Sequence, residues 1–285
     1  MDQASNLRNL IKNRKQNSSN KFKVIAISSG KGGVGKTNVA INLGIALSKR
    51  GLKVTILDAD FGMANVDILF GIKTKYTIYD ILYNNKTIDD VYALTDEGVK
   101  IIPGGSGISG LFELNDEKRK IIVNEFSKIQ DTDILIIDMG AGLSKTSLTL
   151  LEFADEIIVV TNPEPSALTD AYSLIKILIN EGIKSNIGII VNRTRNIIEG
   201  RDTFDKLFKT VKAFLGREVK YLGYIVEDSK VRLAVKEQRP FISLYPKCEA
   251  GLCIYRISSE ILGQEEKNKN STVKEYISKI LKFLG

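Results

Sequence analysis

The sequence predicts a doubly wound α/β domain with a mostly parallel sheet flanked by helices, and three observations carry that prediction. Short, near-continuous Ile/Val/Leu runs recur along the chain, as strands buried on both faces require. Stretches with helical apolar spacing separate most of them, the alternation expected of parallel strands joined by crossovers. A glycine-rich run lies between the first such strand and the first such helix.

In chain order the predicted strands are Lys23–Ser29, Lys53–Leu57, Val99–Ile102, Ile134–Ile137, Glu156–Val160, Ile187–Val191 and Val219–Ile225. β-Branched residues and flanking glycines mark them. Asn38–Lys49 reads as the first helix, stopped at Gly51. Asp116–Ile129, Ser166–Asn180 and Asp202–Phe214 read as later ones. The folded domain is expected over residues 22–262. On one side, residues 1–21 combine a short N-terminal element with a polar, basic linker. On the other, residues 263–285 combine the linker QEEKNKNST with an amphipathic helix, Val273–Leu284. Polar, low-complexity linkers suit tethered elements that act apart from the domain.

The net charge of +7 is unevenly placed. Residues 1–23 contribute +5 and residues 264–285 contribute +2, so residues 24–263 carry as many acidic as basic side chains. Tails of that kind suit acidic partners or anionic lipid, and the neutral body speaks against nucleic acid as a partner. The two cysteines, Cys248 and Cys253, have four residues between them, and the chain has no histidine. That set does not make a zinc or iron–sulfur site within one chain, so two buried thiols are expected. The polar residues 1–23 predict no secretory leader. No apolar run approaches the roughly 20 residues of a membrane span. A cytoplasmic protein, attached to membrane at most peripherally and reversibly, is the expectation.

The run Gly30-Lys31-Gly32-Gly33-Val34-Gly35-Lys36-Thr37-Asn38 follows a strand and opens a helix, the context that makes Gly-x4-Gly-Lys-Thr a phosphate loop. Its glycines let backbone N–H groups face phosphate oxygens, and the helix N-terminus adds partial positive charge. Lys36 is expected at the β- and γ-phosphates and the Thr37 hydroxyl on Mg²⁺.

With Lys31 directly after the first glycine, the loop resembles that of the deviant Walker A family, which includes MinD, ParA and the nitrogenase iron protein. The resemblance implies a MinD-like P-loop NTPase that binds ATP and ADP with Mg²⁺, hydrolyses ATP and is a homodimer when ATP-bound. It gives Lys31 the role of the lysine that crosses to the partner's nucleotide. Residues 57–67, LDADFGMANVD, resemble the family's first switch, with Asp60 as the catalytic carboxylate and Asp58 near the metal. ILIIDMGAG over residues 134–142 has the Walker B form, four apolar residues ending in an aspartate. Asp138 is then a metal residue, through a Mg²⁺-bound water, and Gly142 approaches the γ-phosphate. Asn192 and Arg193 fall where the family holds adenine, and Glu227 and Asp228 in the later base loop, although Val226 replaces a common proline.

The ends point to a branch. Asp2-Gln3-Ala4-Ser5-Asn6-Leu7-Arg8 resembles the DQAxxLR element of the FlhG family (YlxH, FleN), MinD-like ATPases that control flagellar number and placement; DMGAG, where MinD proteins carry DSPAG, agrees. The resemblance implies that Asp2, Gln3, Ala4, Leu7 and Arg8 engage FlhF, an SRP-type GTPase, with Gln3 offered to its site, and that flagellar basal-body proteins are further partners. At the other end Val273, Tyr276, Ile277, Ile280, Leu281 and Leu284 form one apolar helical face, joined by Phe283 and bordered by lysines. Such a helix suits the plane of an anionic membrane. A MinD-type division-site ATPase would share that helix without needing the DQA element, and a ParA-type DNA-segregation ATPase would need a basic face.

Overall fold

The computed structural model describes residues 22–60, 66–104, 116–129, 131–140, 145–263 and 278–279. The expectations for Asp2, Gln3, Ala4, Leu7, Arg8 and Gly142, and for the apolar face from Val273 to Leu284, lie outside the described residues, as does the first-switch stretch 61–65.

β1 (Lys23–Ser28) leads through the phosphate loop into α1 (Lys36–Ser48), which returns to β2 (Val54–Ala59). Three short helices follow, α2 (Val66–Phe70), α3 (Ile78–Tyr83) and α4 (Ile88–Val91), then β3 (Ala93–Leu94) and β4 (Lys100–Ile102). The chain continues through α5 (Asp116–Ser127), β5 (Ile134–Met139), α6 (Lys145–Glu152), β6 (Glu156–Thr161) and α7 (Pro165–Asn180). β7 (Asn186–Thr194), α8 (Ile197–Leu215), β8 (Lys220–Val226), α9 (Ser229–Lys236), α10 (Phe241–Leu244) and α11 (Glu249–Leu262) complete it.

The described residues form an eight-stranded sheet in the order β3-β4-β2-β5-β1-β6-β7-β8. Only the β3–β4 pair is antiparallel. β1, at the centre, pairs in parallel with β5 and β6. Side chains alternate between two apolar layers. Ile25, Ile27, Ile56 and Ile136 join α1, α10 and α11 on one face. Ala26, Leu57, Ile137 and Val159 join α6 and α7 on the other. α1 is covered on all sides, with every residue from Val39 to Leu47 buried, so its apolar composition is a requirement of packing rather than of one face.

The predicted strands are all present, and the mostly parallel doubly wound sheet agrees with the sequence reading. Differences have local causes. α8 begins at Ile197, not Asp202, because the Asn196 side chain accepts the Glu199 N–H and caps it. Gly200, inside α8, lets the helix approach the sheet, since a Cβ there would lie 2.7 Å from Tyr224 Cβ. Cys253 is buried as expected, but Cys248 is half-buried. Its Sγ accepts the Gly251 N–H and caps α11, and burial pushes both thiols up.

Candidate active site

In a parallel sheet the C-terminal strand ends share one edge, and the loops leaving them face a common crevice. β1, β2, β5, β6 and β7 here deliver Gly30–Gly35, Asp60, Asp138, Glu164 and Asn192 to that edge. Gly35 caps α1 with φ 95°, in the left-handed region, and Gly33 has φ 76°. Both values favour glycine strongly. Val34 is the loop's anchor, with its side chain 2% exposed in the α1-side core.

Asp58 and Asp138 are in register on neighbouring strands, so both carboxylates lie on the α1 face of the sheet. Each is 1% exposed. The Asp58 oxygens accept the N–H groups of Asp60 and Val66, each at 3.1 Å. Asp58 therefore ties the two ends of the first-switch stretch to the strand. Asp138 is different: the Thr37 hydroxyl bonds to it, but its Oδ1 has no hydrogen-bond partner among the described residues. Burial pushes the Asp138 carboxyl up to about 7; the Asp58 and Asp60 charges add to the rise, and the Thr37 bond and Lys36 oppose it. A buried, unpartnered carboxylate oxygen beside a threonine hydroxyl fits a hard cation with oxygen ligands. Thr37 and Asp138 would hold Mg²⁺. Asp58, with its oxygens already bound to backbone, would contribute charge nearby. Asp60 sits over the end of β5, where a Cβ on Gly140 would meet Asp60 Oδ1 at 3.1 Å.

Lys31 does not fold back into its own loop. Its Nζ donates to Glu164 Oε2 and Ser166 Oγ, both at 2.9 Å. Lys31 beside Glu164 holds that carboxyl below its usual range, and Arg193 adds to the effect. The sequence reading did not single out Glu164 or Ser166. The signal was topological: β6 adjoins β1, so the loop after β6 must lie beside the phosphate loop, and Pro165 starts α7 there.

The residues expected at the base divide into two groups. Asn192 donates to the Val34 carbonyl at 2.7 Å, and Arg193 occupies the left-handed region with φ 55°. Asp228 caps α9 through the Lys230 N–H and accepts the Ala250 N–H. Glu227 and Asp228 line a cleft of about 780 Å³ with Tyr245 and Cys248, and Asn192 and Arg193 are not among its lining residues.

Fold and site define a P-loop nucleotide-binding protein with a second, outward-facing loop lysine. A family model described as ParA, NUBPL iron-transfer P-loop NTPase, matches residues 20–262. Antiactivator FleN of Pseudomonas aeruginosa is 37% identical over 239 residues, 84% of this chain and 85% of that protein. Flagellum site-determining protein YlxH of Helicobacter pylori is 36% identical over 299 residues, covering 100% and 99%. Among solved structures, the septum site-determining protein MinD of Pyrococcus horikoshii, complexed with Mg-ADP, matches with TM-score 0.68 and 27% identity over 87% of this chain and 100% of that one. The chain belongs to the ParA/MinD family of P-loop ATPases, within its FleN/YlxH branch.

Proposed function

We propose that this ATPase is a dimerising switch that regulates flagellar number and placement. ATP binding joins two copies, hydrolysis separates them, and the dimer carries the signal. The observation that carries this reading is the outward placement of Lys31, bonded to Glu164 and Ser166 beside a complete phosphate loop. A lysine there is available to a second copy's nucleotide once released. The similarity to YlxH, named as a flagellum site-determining protein, and to the antiactivator FleN supports the regulatory role.

In this mechanism Gly30–Asn38 wraps the phosphates and Lys36 neutralises their charge. Bound Mg²⁺ would screen the phosphate oxygens and the developing charge, held by Thr37 and Asp138 with Asp58 nearby. Asp60 orients the attacking water and accepts its proton as the bond to the γ-phosphorus forms and ADP departs. Gly142 approaches the γ-phosphate as the second switch. Asn192, Arg193, Glu227 and Asp228 hold the base. The chain divides into a partner-activating segment (1–21), the ATPase domain (22–262) and a linker with a membrane helix (263–285). Residues 1–21 stimulate an SRP-type GTPase of the FlhF kind, with Gln3 as the inserted residue. The 273–284 helix binds anionic lipid peripherally from the cytoplasm, more tightly in the dimer, where two copies act together. No helix among the described residues is long and apolar enough to cross a membrane.

A peptide of residues 1–23 is expected to accelerate GTP hydrolysis by the GTPase, and the same peptide with Gln3→Ala to leave the rate at baseline. In parallel, deleting residues 273–285 should abolish flotation with anionic liposomes. No acceleration by the native peptide would remove the GTPase partner from the reading, and undiminished flotation would remove the membrane helix.

Glu164→Gln tests the release of Lys31. The pair is exposed, so thermal stability should be unchanged, while ATP-dependent dimerisation should occur at lower protein concentration in analytical ultracentrifugation. An unaltered dimerisation curve would show that Glu164 does not restrain the lysine.

A further inference from the structure

We infer that Asn192 is a positioning residue for the phosphate loop, acting on phosphate binding whether or not a base is present. The inference deepens the ATP-site reading and rests on it. Asn192 Nδ2 donates to the Val34 carbonyl at 2.7 Å, joining positions 158 residues apart in sequence. β7, which carries Asn192, is separated from β1 by β6, so this amide spans a strand to reach the loop.

Three features of the surrounding backbone serve that contact. The β7–β8 register shifts between Val191 and Thr194, and irregularities of this kind re-aim a side chain. Arg193 sits at φ 55°, a conformation costly for a residue with a Cβ and typical of functional sites. Thr194 then re-anchors the strand, buried and accepting the Glu227 N–H at 2.8 Å. The amide also lies directly on Gly35, where a Cβ would come within 2.5 Å of Asn192 Nδ2. Gly35 thus has a second reason to be glycine, besides its φ.

Peptide geometry gives the contact its consequence. The described chain has no cis peptide, and in a trans peptide the C=O and the following N–H point in opposite directions. Holding the Val34 carbonyl toward Asn192 turns the Gly35 N–H the other way, away from Asn192. A phosphate loop binds through such N–H groups held in place beforehand. The Asn192 amide keeps a second N–H and its carbonyl oxygen, so a base contact is additional to the tether rather than an alternative to it. One short segment, 192–194, therefore links the phosphate loop to the base loop at Glu227.

The test compares the full chain with Asn192→Ala and with Asn192→Leu, which keeps the side chain's size but has no donor. Apparent dissociation constants for ATP and for inorganic tripolyphosphate are taken from the rise in melting temperature with ligand concentration, each protein measured against its own ligand-free value, so that a change in folding is read separately. Loss of the donor should weaken tripolyphosphate roughly tenfold, as one hydrogen bond and a misdirected donor would give, and ATP by at least that factor, because its base contact is lost as well. Tripolyphosphate, which has no base, reads the tether alone. Weakened ATP with unchanged tripolyphosphate would make Asn192 a base contact alone and overturn the inference. Absence of tripolyphosphate binding by the native chain would also overturn it, since the loop would not be held ready for phosphate. Failure of ATP itself to bind the native chain would instead bring down the site reading, and the inference with it.

Discussion

Asp138→Asn is expected to make the nucleotide-free protein more stable at pH 8 and to reduce ATP hydrolysis by a hundredfold or more. The two effects have one cause. Burial holds the Asp138 carboxyl up at about 7, far above an ordinary carboxylate. A group whose folded pKa is raised favours the folded state fully only at low pH. Between about pH 4 and 7 the unfolded chain ionises freely while the folded one resists, so stability falls as pH rises and stays low above 7. At 1.36 kcal/mol per pKa unit the full penalty is of order a few kcal/mol. Asparagine removes the charge and with it most of that penalty, about 2 to 4 kcal/mol at pH 8 and progressively less toward pH 4. The same change removes the charge that would hold Mg²⁺ beside Thr37 and Lys36, which is where the loss of activity comes from. Thermal melts of protein freed of nucleotide and divalent cation, taken from pH 5 to 8, read the first effect. A variant no more stable than the native chain at pH 8 would show that Asp138 is not under this strain.

The second large effect is expected at Gly30, the first glycine of the phosphate loop. An added Cβ would lie 2.0 Å from the Asp170 carbonyl oxygen, 2.2 Å from its carbon and 2.8 Å from the Ala171 nitrogen. All three are backbone atoms of α7, which cannot rotate aside as a side chain can. α7 is fixed through the buried residues Ala167, Ala171, Leu174, Ile175 and Leu178. Gly30→Ala must therefore displace the helix or the loop, at a cost of about 3 kcal/mol. Either displacement also moves Glu164 and Ser166 away from Lys31. Gly33→Ala is the comparison: nothing lies within 4 Å of its Cβ position, and only the left-handed φ opposes it, at about 1 kcal/mol. Urea denaturation should rank the two in that order, with ATP binding lost in Gly30→Ala. Equal stabilities would mean that the loop is not wedged against α7.

Much of this fold is legible in the sequence because the central strands are apolar on both faces. Ile134–Ile137 and Glu156–Val160 are short and rich in β-branched residues, which favours strand over helix, and the glycine run between β1 and α1 fixes where phosphate would sit. Strand ends are less legible where charge intrudes: β2 and β5 continue through Asp58 and Asp138, which places those carboxylates inside the sheet instead of beyond it. The region from Val66 to Leu94 resists reading because its helices are short. They are held by reciprocal capping boxes at Thr77 with Asp80 and Thr87 with Asp90, a signal carried by four residues at a time. β3, two residues long, exists by pairing with β4. At the site, the glycines, Lys36 and Thr37 of the phosphate loop and Asp138 at the end of an apolar run are legible from spacing, whereas Lys31, Asp58 and Asp60 are read through resemblance to the deviant Walker A family. Glu164, Ser166 and the Asn192 tether were not, because each depends on which strands lie side by side rather than on any local pattern.

If Lys31 completes a second copy's site, as proposed, dimerisation with ATP requires it. Sedimentation of three proteins with ATP and with ADP tests it most directly: the native chain, Asp60→Ala, which should bind ATP without consuming it, and Asp60→Ala combined with Lys31→Ala. Asp60→Ala is expected to form a stable dimer with ATP and to be monomeric with ADP. The double variant is expected to be a monomer with ATP still bound. A double variant that dimerises as readily as Asp60→Ala would contradict it.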